Sequence, residues 1–192
     1  MSIISYLFIL KYEVTIMKIS DSFETKRMKF RLLNTKDIEV IYKQFSDPDM
    51  CKYFSEPPCD LEEAKGIIEH YQNPEEKGYL RYGMFDKNTD LFIGTCGYHY
   101  WDNELKQVEI GYDIWKDYWG KGYVSEALPL LINKCFEYLN VNCIYILTHP
   151  QNKASIASVS KFGFKECEPC RKLDVEPQLC MKLMRTELYS KN

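Results

Sequence analysis

Residues 107–140, QVEIGYDIWKDYWGKGYVSEALPLLINKCFEYLN, decide how this chain folds, because the spacing of apolar residues changes partway through. Over Gln107–Ile114 the residues alternate, placing Glu109, Gly111 and Asp113 on one face of a strand. From Gly122 to Asn140 the apolar positions Val124, Ala127, Leu128, Leu131, Ile132, Cys135 and Leu139 recur at helical spacing. A strand therefore runs into a long amphipathic helix, and Gly120 and Gly122 flank Lys121 at the junction. Unpaired backbone N–H groups and the helix dipole converge on an anion at such a place. Glycine matters there because a side chain would hold a phosphate away from the backbone. Lys121 either adds a positive charge or is simply solvated.

Working outward, Tyr79–Asp86 and Leu91–Tyr100 are two more β-rich runs, separated by the turn-forming segments DKNTD and WDNELK, so an antiparallel meander is expected. Upstream, Lys29–Leu33 reads as a first strand, and Asn34 or Thr35 followed by Asp37 and Glu39 reads as a helix start. Ile38, Ile41, Tyr42 and Phe45 share one face of that helix, which Asp47-Pro48 ends. Asp60 with Glu63 resembles a capping box opening a second helix through Tyr71. Downstream come a short strand Cys143–Thr148, a short helix Lys153–Lys161 closed by Gly163, and a terminal strand Gln178–Leu188. The economical assembly is α/β, a mixed and mostly antiparallel sheet with helices on both faces.

At 192 residues with 45% hydrophobic side chains, the chain has the size and apolar content of one domain, expected over residues 17–192. A net charge of −3 provides no basic field to hold a phosphate backbone, which argues against nucleic acid. Eight cysteines without a pairing pattern read as reduced thiols in a cytoplasmic protein. Cys167 and Cys170 have metal-ligand spacing but no second Cys/His pair, so no metal is expected. The apolar run Ile3–Leu10 is too short to span a bilayer and lacks signal-peptide features. No membrane partner is expected, and residues 1–16 read as an extension ahead of a start at Met17.

Among phosphate-binding loops, GxxxxGK[ST] fails because Gly122 follows Lys121. A dinucleotide GxGxxG fails because Ser125 takes the last glycine position and the preceding strands are hairpin-like. The stretch Trp119-Gly-Lys-Gly-Tyr-Val124 instead resembles the R/Q-x-x-G-x-G/A loop of the GNAT acetyltransferase superfamily. His149-Pro-Gln-Asn-Lys-Ala-Ser-Ile156 and Lys161-Phe-Gly-Phe164 are similar to its Asn-x-x-Ser and Gly-Phe segment, and Glu24–Arg31 to its N-terminal segment. The wording YWGKGYVSEAL with HPQNKAS looks most like the ribosomal-protein N-terminal acetyltransferases, the RimJ/RimL branch, where an aromatic commonly leads the loop as Trp119 does. Val124 departs from the usual Gly or Ala and adds bulk at the first helical turn.

The resemblance implies a GNAT fold that binds acetyl-CoA, as a monomer or homodimer. It implies a pyrophosphate cradle of Trp119, Gly120, Lys121, Gly122, Tyr123 and Val124, with the backbone around Ile114 holding the pantetheine arm. Asn152 would touch the cofactor and Ser155 would lie near the thiol, although both equally suit a helix N-terminal cap. It implies direct acetyl transfer to a primary amine in a ternary complex, with a protein N-terminus as leading acceptor. A small amine such as a polyamine, an aminoglycoside or an amino acid is the runner-up, and a non-catalytic acyl-CoA-binding module the third reading. The family's usual acid, a tyrosine eight residues after the Asn152 position, is Ser160 here. Ser155, a water or one of the tyrosines at 98, 100, 112, 118 and 123 must serve instead, or no dedicated acid exists.

An amine attacks only when neutral, and a lysine-type amine titrates near ~10, so a proton must leave it. Glu109 is the candidate acceptor through water, since partial burial beside a thioester would improve it as a base. A cross-strand ion pair accounts for Glu109 as well. His99 and His149 read as ordinary strand or turn residues, and His70 as lying on a solvated helix face.

Overall fold

The computed structural model describes residues 22–54, 57–72, 78–169 and 178–189, so the expectations about residues 1–16, Met17 and Cys170 lie outside them. The sequence's turn chemistry sets the meander. The Asp86 carboxylate accepts from the Asn88 and Thr89 N–H groups at 2.9 Å and closes the DKNTD turn. Asp102 does the same for Glu104 and Leu105 at 2.8 Å. The turns join β3 (Leu80–Asp86), β4 (Phe92–Asp102) and β5 (Gln107–Ile114).

These strands belong to an eight-stranded sheet of order β1-β2-β3-β4-β5-β6-β8-β7. Its other members are β1 (Ser22–Glu24), β2 (Met28–Leu32), β6 (Cys143–Thr148), β7 (Lys165–Cys167) and β8 (Leu179–Met184). Every neighbouring pair is antiparallel except β5 with β6. The mixed α/β architecture expected from the sequence is present. β1 and β7, at the two edges, are three residues each and have no periodicity to read.

One sheet face is covered by α4 (Tyr123–Tyr138), which buries Leu128, Leu131, Ile132, Cys135 and Phe136 in one cluster with Tyr82 and Tyr98. A separate cluster joins Leu33 to Ile41 of α1 (Ile38–Ser46) and to Ala64 and Ile68 of α3 (Leu61–Tyr71). Both helix starts read from the sequence are capped. Asn34 with Asp37 closes a capping box on a single 3-10 turn leading into α1, and Asp60 with Glu63 closes one on α3. Between them sits the one-turn helix α2 (Pro48–Cys51), capped by Asp47. Asn152 caps α5 (Lys153–Ser160) through its acceptance of the Ser155 N–H at 3.1 Å. Among the described residues no helix is long and apolar enough to cross a membrane.

The terminal strand expected to reach Leu188 stops at Met184, where α6 (Arg185–Tyr189) begins. Arg185 causes the turn. Its backbone N–H donates to Asn142 O at 2.9 Å, its Nε to Val141 O at 3.0 Å, and its Nη2 to Phe136 O. The guanidinium thus satisfies carbonyls at and just beyond the end of α4 that the helix cannot use itself. Arg185→Ala leaves the Phe136 and Val141 acceptors without that donor, and should destabilise the protein by about 2 kcal/mol. Urea unfolding checks this; an unchanged midpoint would show that the contact carries no stability.

Candidate active site

β5 and β6 run side by side, yet they pair at only three positions, Gln107–Cys143, Val108–Ile144 and Glu109–Tyr145. Beyond these, β5 stays on β4 as far as the Ile114–Gly94 pair, and β6 stays on β8. The Trp115 N–H donates to Ile93 O at 2.7 Å, on the β4 side. Alternation then directs the amides of Gly111 and Asp113 toward β4, and the Ile110 carbonyl with the amides of Tyr112 and Ile114 into the gap beside β6. A cavity of about 910 Å³ opens there, with Glu109 and Asp113 on one wall, Leu147 and Thr148 on another, and Tyr53 and Tyr71 from the helical region.

The glycine loop stands at the end of β5. Gly120 and Gly122 have φ of +70° and +78°, a left-handed conformation that a side chain makes costly. Nothing lies within 4 Å of where a Cβ on Gly120 would be, and Gly122 caps α4 without any side-chain bond to its first turn. Open space, unclaimed helix N–H groups and a helix of 16 residues fit a pyrophosphate.

Arg27 braces this loop from behind. Its Nη1 donates to Lys121 O at 2.9 Å, its Nε to Glu126 at 2.7 Å, and its guanidinium lies 4.1 Å over the Tyr123 ring. Burial alone would raise the Glu126 carboxyl, but hydrogen bonds from Thr25 and Arg27 outweigh it and hold the group below its ordinary value. The expected cradle residues thus divide. Gly120 and Gly122 form the opening, Lys121 is exposed, Tyr123 is buried, and Val124 packs against the core. Trp119 is 52% exposed, and its indole N–H donates to Ile114 O at 2.6 Å. That carbonyl, expected to serve a pantetheine arm, is held by Trp119 in this conformation.

On the opposite side, the cavity floor is a buried polar network that no local sequence pattern signals. Arg81, 8% exposed, donates to Asp113 and to Thr95 Oγ1 at 2.9 Å. Its Nη1 lies 3.3 Å from His99 Nε2, and His99 Nδ1 lies 3.4 Å from Tyr71 Oη. A guanidinium only donates, so His99 Nε2 accepts, and the ring proton sits on Nδ1 facing Tyr71. Burial opposes the Arg81 charge, but Asp113 and Tyr71 outweigh it and the guanidinium is held. No periodicity signals Arg81 in the sequence; only its place in a strand that is otherwise buried, opposite an acidic residue two strands away, marks it. His99 belongs to this network and is more than an ordinary strand residue. His70 is exposed on its helix, as expected, and also stacks on Tyr79 at 4.1 Å and lines the cavity. His149 is the turn residue expected, accepting the Gln151 N–H at 3.1 Å.

Glu109, Gly111 and Asp113 all line the cavity, but Asp113 is committed to Arg81. Across the gap the Tyr112 hydroxyl lies 3.2 Å from Ser155 Oγ. Burial is the main cause that raises the Tyr112 phenol above its ordinary value, with hydrogen bonds to Ser155 and Ser158 opposing it. Among the candidate tyrosines it is therefore Tyr112 that the fold brings to Ser155. Tyr98 is buried in the core, whereas Tyr100 lines the cavity. Ser160 bonds back to Ile156 O at 2.8 Å.

The loop geometry makes a direct expectation. In Gly120→Glu the new side chain meets open space but brings a carboxylate into the cradle, so CoA should no longer raise the melting temperature. Gly120→Asn, which tolerates the left-handed backbone, should keep most of the rise. An undiminished rise in Gly120→Glu would take the loop out of the binding site.

Comparison with known proteins agrees with this geometry. Residues 27–165 match the family described as acetyltransferase (GNAT) domain. An N-acetyltransferase of Bacillus licheniformis named p20, itself uncharacterized, is 35% identical over 144 residues, spanning 74% of this chain and 81% of that protein. Mycobacterium smegmatis RimJ, solved in complex with CoA-disulfide, superposes with a TM-score of 0.73 at 16% identity, covering 88% of each chain. Spermidine N-acetyltransferase from Vibrio cholerae, solved with CoA and spermine, gives 0.72 at 16% identity over 84% of this chain and 97% of that one. The chain belongs to the GNAT acetyltransferase family and is an N-acetyltransferase.

Proposed function

We propose that this enzyme transfers acetyl from acetyl-CoA to the N-terminal amine of a protein, directly and within one ternary complex. The observation that carries the acceptor class is the charge around the cavity. With Arg81 and Asp113 paired, the remaining charged lining among the described residues is Lys52, Glu63 and Glu109. A mixed lining suits a single amine on a peptide better than a polycation, which gains most from a wall of one sign. We further place residues 17–192 in one catalytic unit, working in the cytoplasm as a monomer or homodimer; the apolar burial of the cysteines Cys96, Cys135 and Cys180 supports a reducing setting.

Acetyl-CoA supplies the thioester, and its fit rests on the cradle at Gly120 and Gly122 and on the edge amides of β5. Ile110, Tyr112 and Ile114 offer backbone groups to the pantetheine arm and to the negative charge that develops on the carbonyl oxygen. Asn152 fixes the start of α5, and with it Ser155, at the cavity wall. Glu109, half-buried on that wall, takes the amine proton through a water molecule. The Ser155 hydroxyl, backed by Tyr112, gives a proton to the departing sulfur. With a thiol pKa of about 8.5, that sulfur needs only modest help.

Incubation with peptides and small amines should give a mass gain of about 42 Da on peptide N-termini first, the mass of acetyl less a proton. Preferential gain on polyamines would overturn the acceptor assignment. Glu109→Gln should lower turnover by ~100-fold with CoA affinity preserved, and Tyr112→Phe by about 10-fold. Because burial raises the Tyr112 phenol, the acid stays protonated beyond the ordinary value of about 10, and wild-type activity should fall only above it. Near-normal turnover of Glu109→Gln at every pH would remove Glu109 from the proton path.

A further inference from the structure

Cys167 on β7 and Cys180 on β8 are direct partners in the antiparallel pairing, and their sulfurs lie 3.4 Å apart. Neither sulfur is in a disulfide here. Directly opposed residues on antiparallel strands have Cα atoms about 4.5–5.5 Å apart, inside the range of about 4.4–6.8 Å that a disulfide spans. The backbone is already where the bond needs it, and side-chain rotation alone can bring the sulfurs toward the bonding distance of about 2.05 Å. Cys167 is partly exposed on the edge strand, whereas Cys180 is 2% exposed beneath it.

Three of the other thiols, Cys96, Cys135 and Cys51, are poorer competitors. Burial pushes Cys96 up to about 12 and raises Cys135 further, and both lie in the main core, away from the edge strand where Cys167 meets an oxidant and can pass the bond to Cys180. Cys51 is raised chiefly by burial as well, and its thiol donates to Phe45 O at 3.1 Å.

We propose that Cys167 and Cys180 form a reversible, thiol-exchanging disulfide that fastens β7 to the strand backing the active-site wall. The oxidant is a low-molecular-weight disulfide. The Cys167 thiolate, its proton lost to solvent, attacks one sulfur of the oxidant, whose S–S bond breaks and releases one thiolate. The Cys180 thiolate then attacks Cys167 Sγ, and the mixed disulfide breaks and releases the second thiolate. Two electrons pass from the cysteine pair to the oxidant, and the two protons end on the two released thiols. Such bonds in cytosolic proteins are usually transient and redox-sensing.

The bond sits next to the site. Cys180 pairs with Leu147 and Leu179 with Thr148, and Leu147, Thr148 and Gln178 line the cavity. Fastening β7 to β8 therefore restrains the outer support of that wall, and acceptor binding should respond. This consequence rests on the acetyltransferase reading; the bond itself does not.

Intact protein treated with glutathione disulfide and then alkylated is measured by mass spectrometry. The expected product is lighter by about 2 Da before alkylation, carries two fewer alkyl groups, and yields a peptide linking Cys167 to Cys180 that dithiothreitol reverses. Cys180→Ser should instead accumulate a glutathione adduct on Cys167, a gain of about 305 Da. Full alkylation of both thiols in the treated wild type, or a link from either to Cys170 or another cysteine, would overturn the proposal. In kinetics, oxidation should change the acceptor KM at least threefold in wild type and leave Cys167→Ser unchanged. An equal KM in both forms of the wild type would leave the bond in place and refute its regulatory role.

Discussion

The parting of two parallel strands governs this molecule. β5 and β6 share three residue pairs and then separate, so β5 presents backbone groups along an edge inside the sheet. Buried amides without partners are costly, which is why such a gap survives only where something else satisfies them. Side chains do part of this work. Trp119 reaches back to the Ile114 carbonyl, and Tyr112 bridges the gap to Ser155 on α5. The space left over is the cavity, and the glycine loop lies at the end of the strand that borders it. The proposed cofactor cradle, proton donors and acceptor pocket all follow from where the strands diverge.

The second element is the Arg81–Asp113 pair beneath the cavity. Removing either partner would leave a buried charge uncompensated, typically a loss of about 3–5 kcal/mol. Its geometry also has a chemical result. By donating to His99 Nε2, Arg81 assigns the imidazole proton to the side facing Tyr71. By engaging Asp113, it leaves Glu109 as the carboxylate on that strand face with a proposed role in proton transfer. Stability and the proposed assignment of acid and base thus share one set of contacts.

Most of the architecture was legible because it follows from local chemistry. The change from alternation to helical spacing across the glycine loop, the capping residues Asn34 and Asp60, and the Asp86 and Asp102 turns each act within a few residues. The edge strands β1 and β7 were not legible, because three residues show no period, and the end of β8 was misplaced because Arg185 turns the chain through carbonyls more than forty positions away. In the site, Gly120, Gly122, Glu109 and Ser155 were singled out from motif and strand face. Arg81 and the choice of Tyr112 among the tyrosines depend on which strands become neighbours, and no local pattern carries that information.

The central claim is that the gap between β5 and β6, with the glycine loop at its end, is where CoA binds. Hydrogen–deuterium exchange with and without CoA tests it most directly, since a ligand that engages backbone amides slows their exchange. The account predicts slowed exchange confined to peptides covering residues 110–114 and 120–126, with the outer strands β1 and β2 unchanged. Protection that spared both of those segments while appearing elsewhere would contradict it.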